Sequence, residues 1–162
     1  HAMVLYRAER PEKQKFSAHQ AVEDLINQFR PAADLRDLDI AFSSNLEQTQ
    51  QVHLDRTLLE TSLRNLLDNA LKYAIAESTV SVDLSQNKKQ ITVIITNDAA
   101  NLKGFNASQI FQKFKRGPEN KDVIGSGLGL SIVLEAANAI NATIKVKKLK
   151  GESVCAILSL PC

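Results

Sequence analysis

Residues 55–75 read DRTLLETSLRNLLDNALKYAI and carry the strongest helical pattern in the chain. Apolar side chains recur every three or four residues, as at Leu59, Leu63 and Leu66, which is typical of a helix with one face against a core. Asp55 stands where a side chain would cap the first turn. The stretch therefore predicts a long amphipathic helix that begins after Asp55.

Two asparagines and a lysine lie along one strip of this helix. Asparagine is a poor helix former because its side chain competes for backbone hydrogen bonds, yet Asn65 and Asn69 are four residues apart in the middle. With Lys72 they fall within about 60° of one another on a helical wheel. Amide oxygens suit Mg²⁺, and an ammonium group suits phosphate. The strip predicts a site for a metal and a phosphate, with a solvated polar stripe as the alternative.

The flanking segments predict strands and two more helices. Helical spacing over residues 17–35 predicts a helix that Ser17 caps and that Pro31 kinks or ends. Helical spacing returns at about 128–140. Alternating apolar residues predict strands, which we expect at residues 38–42, 52–54, 80–84, 91–95, 142–149 and 153–160.

The order of these elements predicts an α+β fold. Because hairpins dominate, we expect a mixed, mostly antiparallel sheet with the helices on one face, which is a two-layer α/β sandwich. Residues 98–124 are polar and irregular. Loops of this length inside a compact domain are usually functional or disordered, so we expect this loop to serve the site.

Composition indicates one globular domain and excludes several classes of protein. The chain has 162 residues, of which 44% are hydrophobic and 23% charged, the balance of a single domain with a core. A net charge of +2 gives no support for a nucleic-acid partner. No apolar run approaches the roughly 20 residues that cross a bilayer. Cys155 and Cys162 lack metal-ligand spacing and are predicted to be reduced thiols.

Two further motifs surround the end of the long loop. Residues 125–131 read GSGLGLS and lead directly into the helical pattern. Glycines allow a backbone to approach an anion closely, and the N-terminus of the following helix offers free N–H groups. Residues 110–117 read IFQKFKRG, in which apolar side chains can anchor a turn while the cations face a ligand. The two motifs predict a phosphate cradle, although a flexible turn and a small apolar cluster are the simpler alternatives.

The order and spacing of the three motifs resemble the GHKL ATPase family, specifically its histidine-kinase branch. Over residues 55–160, the N box matches at 65–73, the F box at 110–116 and the G2 box at 125–130. The resemblance implies a Bergerat ATP-binding fold. In this fold Mg·ATP lies between the N-box helix and a mobile lid, here residues 98–124.

The resemblance also implies roles for individual residues. Asn69 would coordinate Mg²⁺, Asn65 would support it, and Lys72 would contact phosphate. Arg116 would reach toward the γ-phosphate, so that Asn65, Lys72 and Arg116 form the catalytic set. Tyr73 would line the nucleotide pocket. The remaining cofactor-binding positions implied are Asn97, Asp98, Leu102, Phe114, Gly125, Gly127, Leu128, Gly129 and Leu130.

The sequence departs from the family at the G1 box, usually D-x-G-x-G, whose aspartate binds the adenine amino group. Residues 96–102 read TNDAANL, without either glycine. Because Ile95 and alternate residues before it point to the core, the next inward position is Asn97. This register also puts Leu102 at the usual aliphatic position. We predict that Asn97 takes the role of the aspartate, with Asp98 as the alternative.

An asparagine oxygen can still accept a hydrogen bond from adenine, but it lacks a charge that is worth about 1 kcal/mol. We therefore expect weaker ATP binding than in relatives with an intact G1 box. A degenerate domain that binds nucleotide or protein without kinase activity is the alternative.

The resemblance places the phosphoacceptor histidine on a separate dimerisation domain, because neither His19 nor His53 lies in the family's His-acidic-Pro motif. We interpret residues 1–15 as a cloning remnant followed by the end of the dimerisation or linker region, and residues 16–162 as the ATP-binding catalytic domain. The implied partners are that dimerisation domain and a response regulator, with no nucleic acid. The parent would be a homodimer anchored in the bacterial inner membrane, and this fragment a cytoplasmic monomer.

Overall fold

The computed structural model describes residues 7–99 and 127–161, with the backbone alone at residues 127–131. A helical turn at residues 7–9 precedes the first strand. The following elements are then found in chain order: β1 (Gln14–Ser17), α1 (Ala18–Asp34), β2 (Asp39–Ser44), β3 (Gln51–Leu54), α2 (Arg56–Tyr73), β4 (Thr79–Gln86), β5 (Gln90–Asp98), α3 (Gly127–Ala139), β6 (Thr143–Leu149) and β7 (Ser153–Pro161).

The main sheet has five strands in the order β2-β4-β5-β7-β6. β2 runs parallel to β4, whereas β4, β5, β7 and β6 pair antiparallel with their neighbours. The predicted mixed, mostly antiparallel sheet is therefore confirmed. β1 and β3 form a separate antiparallel pair. β1 has no alternating pattern that would predict it from the sequence, because this four-residue strand has a single buried apolar residue, Phe16.

One face of the main sheet and the helices enclose the core, as the predicted two-layer fold requires. In the β4–β5 pair, Val82 lies opposite Ile95 and Leu84 opposite Val93. These side chains are buried in the same cluster as Leu25 of α1 and other apolar residues of the helices. The period of two along each strand directs one set of side chains to the helices.

Helix α1 continues through Pro31 to Asp34, so the expectation that Pro31 ends the helix is wrong. Proline removes one backbone donor to the preceding turn, but a single turn of helix remains beyond it. That turn is held by buried Ala33 and by the hydrogen bond from Leu35 N to Pro31 O, 3.2 Å. The stability lost because Pro31 has no backbone N–H is therefore confined to the last turn of the helix.

Helix α3 packs along α2, and in the turn after it Asn141 takes the left-handed conformation, at φ 58°. The β6–β7 hairpin turns at Gly151, whose φ of 81° suits glycine. None of the helices in the described ranges is long and apolar enough to cross a membrane.

Candidate functional site

The N-terminus of α2 is fixed by Asp55, whose side chain is fully buried. Its Oδ1 accepts a hydrogen bond from the Leu58 N–H at 3.1 Å, which confirms the predicted N-cap. Its Oδ2 accepts from Arg7 Nε at 2.8 Å and from the Glu12 N–H at 2.7 Å. The carboxylate therefore ties α2 to the chain that precedes β1.

These contacts also change the acidity of the carboxyl group. Burial by itself would raise the pKa of Asp55, because it disfavours the charged form. The hydrogen bonds from Glu12, Arg7 and Leu58, with the charge of Arg7, outweigh burial and lower the pKa below its ordinary value. The ionised form is thus the one that the fold stabilises.

The predicted polar strip lies in the second half of α2. Leu66, Leu67 and Ala70 are buried, whereas Asn65 and Asn69 are half-buried beside them. The side-chain Nδ2 of Asn65 donates to Thr61 O at 2.8 Å. Because this bond uses the nitrogen, the oxygen of the Asn65 amide is the atom left to accept a donor or ligate a cation.

Lys72 and Tyr73 close the strip at the last turn of the helix. The ammonium group of Lys72 is exposed and lies 3.1 Å from Asp68 Oδ2. The Tyr73 side chain is 42% exposed. Burial of the rest of the ring raises the pKa of its phenol, while the charge of Lys72 acts in the opposite direction. An anion that approaches the C-terminal turn would therefore meet a cation and a partly exposed ring.

The C-terminus of α2 is capped from another element. The guanidinium group of Arg36 donates through Nη1 to Leu71 O and through Nη2 to Lys72 O, the latter at 3.0 Å. Arg36 belongs to the turn between α1 and β2, and sequence reasoning missed it. A signal was present, because no glycine follows α2 within residues 74–78, and a helix that ends without glycine often needs another cap.

The end of β5 brings the G1 positions next to this turn. Asn97 points inward and is 7% exposed, and its Nδ2 donates to Asp98 O at 3.3 Å. Asp98 is exposed, and its Oδ1 accepts from Ser153 Oγ at 2.6 Å. The Asp98 carbonyl also accepts from the Ile75 N–H at 2.9 Å. The structure places Asn97 at the inward position that the strand phase predicts, and its role in adenine binding stays a prediction.

The G2 positions Gly127, Leu128, Gly129 and Leu130 lie in the first turn of α3, which begins at Gly127. The first N–H groups of any helix lack intrahelical partners and suit an anion. Leu102, Phe114, Arg116 and Gly125 lie outside the described residues, as does most of the predicted lid. Within the described residues, the hydrogen bond from Ile75 N to Asp98 O brings the end of α2 next to the end of β5, and α3 packs against α2.

Known proteins resemble this chain in sequence and in fold. The family described as "Histidine kinase-, DNA gyrase B-, and HSP90-like ATPase" matches residues 54–162. The sensor-like histidine kinase SenX3 of Mycobacterium tuberculosis is 30% identical over 142 residues, which are 86% of this chain and 34% of that protein. The histidine protein kinase SaeS of Staphylococcus aureus is 36% identical over 115 residues, 68% of this chain and 32% of that protein.

The chain therefore spans about a third of the length of these curated relatives. Among solved structures, the nucleotide-free catalytic domain of the histidine kinase ThkA has a TM-score of 0.77 at 21% identity. The alignment covers 93% of this chain and 97% of that domain. At this level of identity the likeness shows the fold alone.

Proposed function

Since the chain belongs to the histidine kinase-, DNA gyrase B- and HSP90-like ATPase family, we propose that it is the ATP-binding catalytic domain of a sensor histidine kinase. The observation that carries the proposal is the strip on α2. It joins half-buried amides, an exposed ammonium group and a partly exposed ring beside the end of β5. The two relatives, both named histidine kinases, support the kinase branch of the family.

The nucleotide would lie with its base near the end of β5 and its phosphates along the α2 strip. Asn97 is inward and offers an amide that can accept a hydrogen bond from the adenine amino group. Lys72 would contact a phosphate, and the first turn of α3 would add backbone N–H groups. The phosphates would thus meet positive charge from the side chain and from the helix terminus.

The residues on α2 also fit a bound Mg²⁺. Within the residues that the structure describes, no group of three His, Cys, Asp or Glu could hold a metal. Mg²⁺ usually takes few protein oxygens and shares the phosphates of its nucleotide. Asn69, with the Asn65 oxygen beside it, supplies hard neutral ligands of that kind. Bound Mg²⁺ would neutralise charge on the phosphates during transfer.

The phosphoryl group would go to a histidine on another domain. The proposal needs no nucleophile in this chain, because phosphoryl transfer depends mainly on positioning and charge neutralisation. The dimerisation domain of the parent protein would supply the histidine, and a response regulator would receive the phosphoryl group. By analogy with the family, the parent would be a membrane-anchored homodimer with this domain in the cytoplasm.

A second candidate is a module that binds nucleotide or protein without kinase activity. The observation that favours it is the altered G1 box, which has neither glycine and in which we predict that Asn97 takes the place of the aspartate. Fusing the chain to a dimerisation domain with its phosphoacceptor histidine separates the two candidates. Acid-labile phosphate on the histidine supports the kinase, whereas bound nucleotide without any label supports the second candidate.

The nucleotide site itself is tested by titrating the chain with ATP, with and without Mg²⁺. We expect Asn69→Ala to weaken Mg·ATP binding by at least about tenfold, equivalent to about 1.4 kcal/mol, and to abolish the benefit of Mg²⁺. Asn27→Ala is the matched control, because Asn27 is an exposed asparagine in the middle of α1. Equal Mg·ATP affinity in Asn69→Ala and wild type would remove the metal role.

A further inference from the structure

The last turn of α2 lacks the usual means of ending a helix. Ala74 follows it in an extended conformation, at φ −66° and ψ 142°, and its N–H still reaches Ala70 O at 3.0 Å. In a continuing helix the Ile75 N–H would bond to Leu71 O, but it donates instead to Asp98 O at 2.9 Å. The carbonyls of Leu71 and Lys72 therefore need donors from elsewhere.

Arg36 supplies those donors with a single planar group. Its two terminal nitrogens each meet one of these carbonyls. The rigid fork of a guanidinium group can bridge adjacent acceptors, which the flexible ammonium of a lysine does less well. Its charge also lies at the negative end of the helix dipole. The contact thus fixes both the position and the direction of the final turn.

Arg36 is itself held in place by the turn that ends α1. Leu38 N donates to Ala33 O at 2.9 Å, and Asp37 N donates to Asp34 O at 3.1 Å. This is the Schellman pattern, with Asp37 in the left-handed conformation at φ 55°. The Asp37 carbonyl then accepts from Glu77 N at 2.9 Å. The turn is therefore hydrogen-bonded to the loop after α2 by its backbone as well as by Arg36.

We propose that Arg36 is a positioning residue for the nucleotide site. It acts through the last turn of α2, which carries Lys72 and Tyr73, and it need not touch the ligand. Loss of the cap frees the carbonyls of Leu71 and Lys72, and the turn can fray as uncapped helix ends do. The phosphate-binding cation would then be less well oriented. This inference rests on the proposed function, because it needs a nucleotide at the α2 strip.

The test compares Arg36→Met with Arg30→Met. Methionine keeps an apolar stem and removes the donors. Arg30 is the matched control because it too is an exposed arginine that donates to a backbone carbonyl, Ile40 O at 3.0 Å, away from α2. We expect Arg36→Met to weaken Mg·ATP binding about tenfold, Arg36→Lys to restore part of the loss, and Arg30→Met to bind as the wild type does.

A readout without nucleotide separates positioning from general instability. We expect amide hydrogen exchange at Ala74 to accelerate in Arg36→Met and to stay unchanged in Arg30→Met, with similar melting temperatures. A double-mutant cycle then tests whether Arg36 acts on nucleotide affinity through Lys72. In a Lys72→Met background, Arg36→Met should cost clearly less affinity than it does alone, because the cation that it positions is gone.

Each outcome has a distinct meaning. Equal Mg·ATP affinity in wild type and Arg36→Met overturns the assignment and leaves the proposed function standing. Fully additive losses from Arg36→Met and Lys72→Met overturn the route through the last turn. If the wild-type chain binds no nucleotide, the proposed function and this inference fall together. Faster exchange at Ala74 with non-additive losses of affinity supports the assignment.

Discussion

The two ends of α2 are each held by an arginine, but in different environments. At the N-terminus Arg7 bonds to the fully buried carboxylate of Asp55, and at the C-terminus the exposed Arg36 bonds to the backbone carbonyls of buried Leu71 and exposed Lys72. Both arginines lie outside the residues that match the family, 54–162. The ends are roughly 25 Å apart at 1.5 Å per residue. The comparison suggests that one end secures the fold while the other orients the nucleotide site.

The largest expected effect is at the buried end. Asp55→Ala removes the N-cap and leaves the Arg7 and Glu12 donors without their acceptor. We expect the free energy of unfolding to fall by about 3 kcal/mol, since a lost cap and a broken buried pair each cost stability. Urea unfolding measures the loss, and nucleotide affinity measured well below the transition should change little.

Asp24→Ala is the control for this change. Asp24 is an exposed carboxylate on α1, 3.9 Å from Arg56, so its removal should cost less than about 1 kcal/mol. If Asp55→Ala is no more costly than Asp24→Ala, the N-terminal end does not secure the fold. If Asp55→Ala weakens nucleotide binding as much as Arg36→Met does, the two ends of α2 do not have the separate roles that we infer.

The pH-dependent part of the stability should be smaller than the loss expected in Asp55→Ala. It should arise at the same N-terminal end of α2. Because the pKa of Asp55 is lowered on folding, its charge contributes stability above its ordinary pKa of about 3.8, and this is lost as pH falls through the folded value. Asp55→Asn keeps an N-cap but has no charge. The stability difference between wild type and Asp55→Asn should therefore be constant from pH 7 to 5 and shrink toward pH 3. A difference that stays constant to pH 3 would contradict the lowered pKa.

Local sequence patterns predict one end of α2 far better than the other. The N-cap depends on residues three apart, Asp55 and Leu58, so a short window of sequence contains it. Similarly, the alternation along β5 predicts that Asn97 points inward. Arg7 and Arg36, by contrast, contact α2 across 48 and 35 residues of chain. No helical or strand period relates such distant positions, because only the folded topology brings them together.

The next prediction concerns nucleotide affinity and the residue Asn97, at the end of β5. Asn97→Asp puts an acidic group at the position where we predict the aspartate of the G1 box. We expect Mg·ATP binding to tighten by about fivefold, since a hydrogen bond to a charged acceptor is worth about 1 kcal/mol more than a neutral one. The apo domain should lose some stability, because a nearly buried carboxylate is costly without a partner.

Asp98→Asn serves as the control, because Asp98 is exposed and bonds to Ser153. Isothermal titration should show tighter binding only for Asn97→Asp. Tighter binding for neither variant, combined with a loss in Asp98→Asn, would move the adenine contact to Asp98.

The smallest expected changes in stability come from two ion pairs on the same helix. Arg56–Glu60 lies near the N-terminus at 2.8 Å, and Lys72–Asp68 lies near the C-terminus at 3.1 Å. In each pair the two residues are four positions apart and partly exposed. Glu60→Gln and Asp68→Asn should therefore each lower the free energy of unfolding by about 0.3–0.5 kcal/mol.

Their effects on nucleotide affinity should differ, because Asp68, unlike Glu60, pairs with the ammonium group that would contact a phosphate. Asp68→Asn removes both a competing partner and a negative charge near the phosphates, so we expect Mg·ATP affinity to rise about twofold at low salt and less at high salt. Glu60→Gln should leave affinity unchanged. Titrations of the two variants at low and high ionic strength therefore test whether phosphate binding belongs to the C-terminal end. An equal gain in both variants would show instead that the net charge of α2, and not Lys72, sets the affinity.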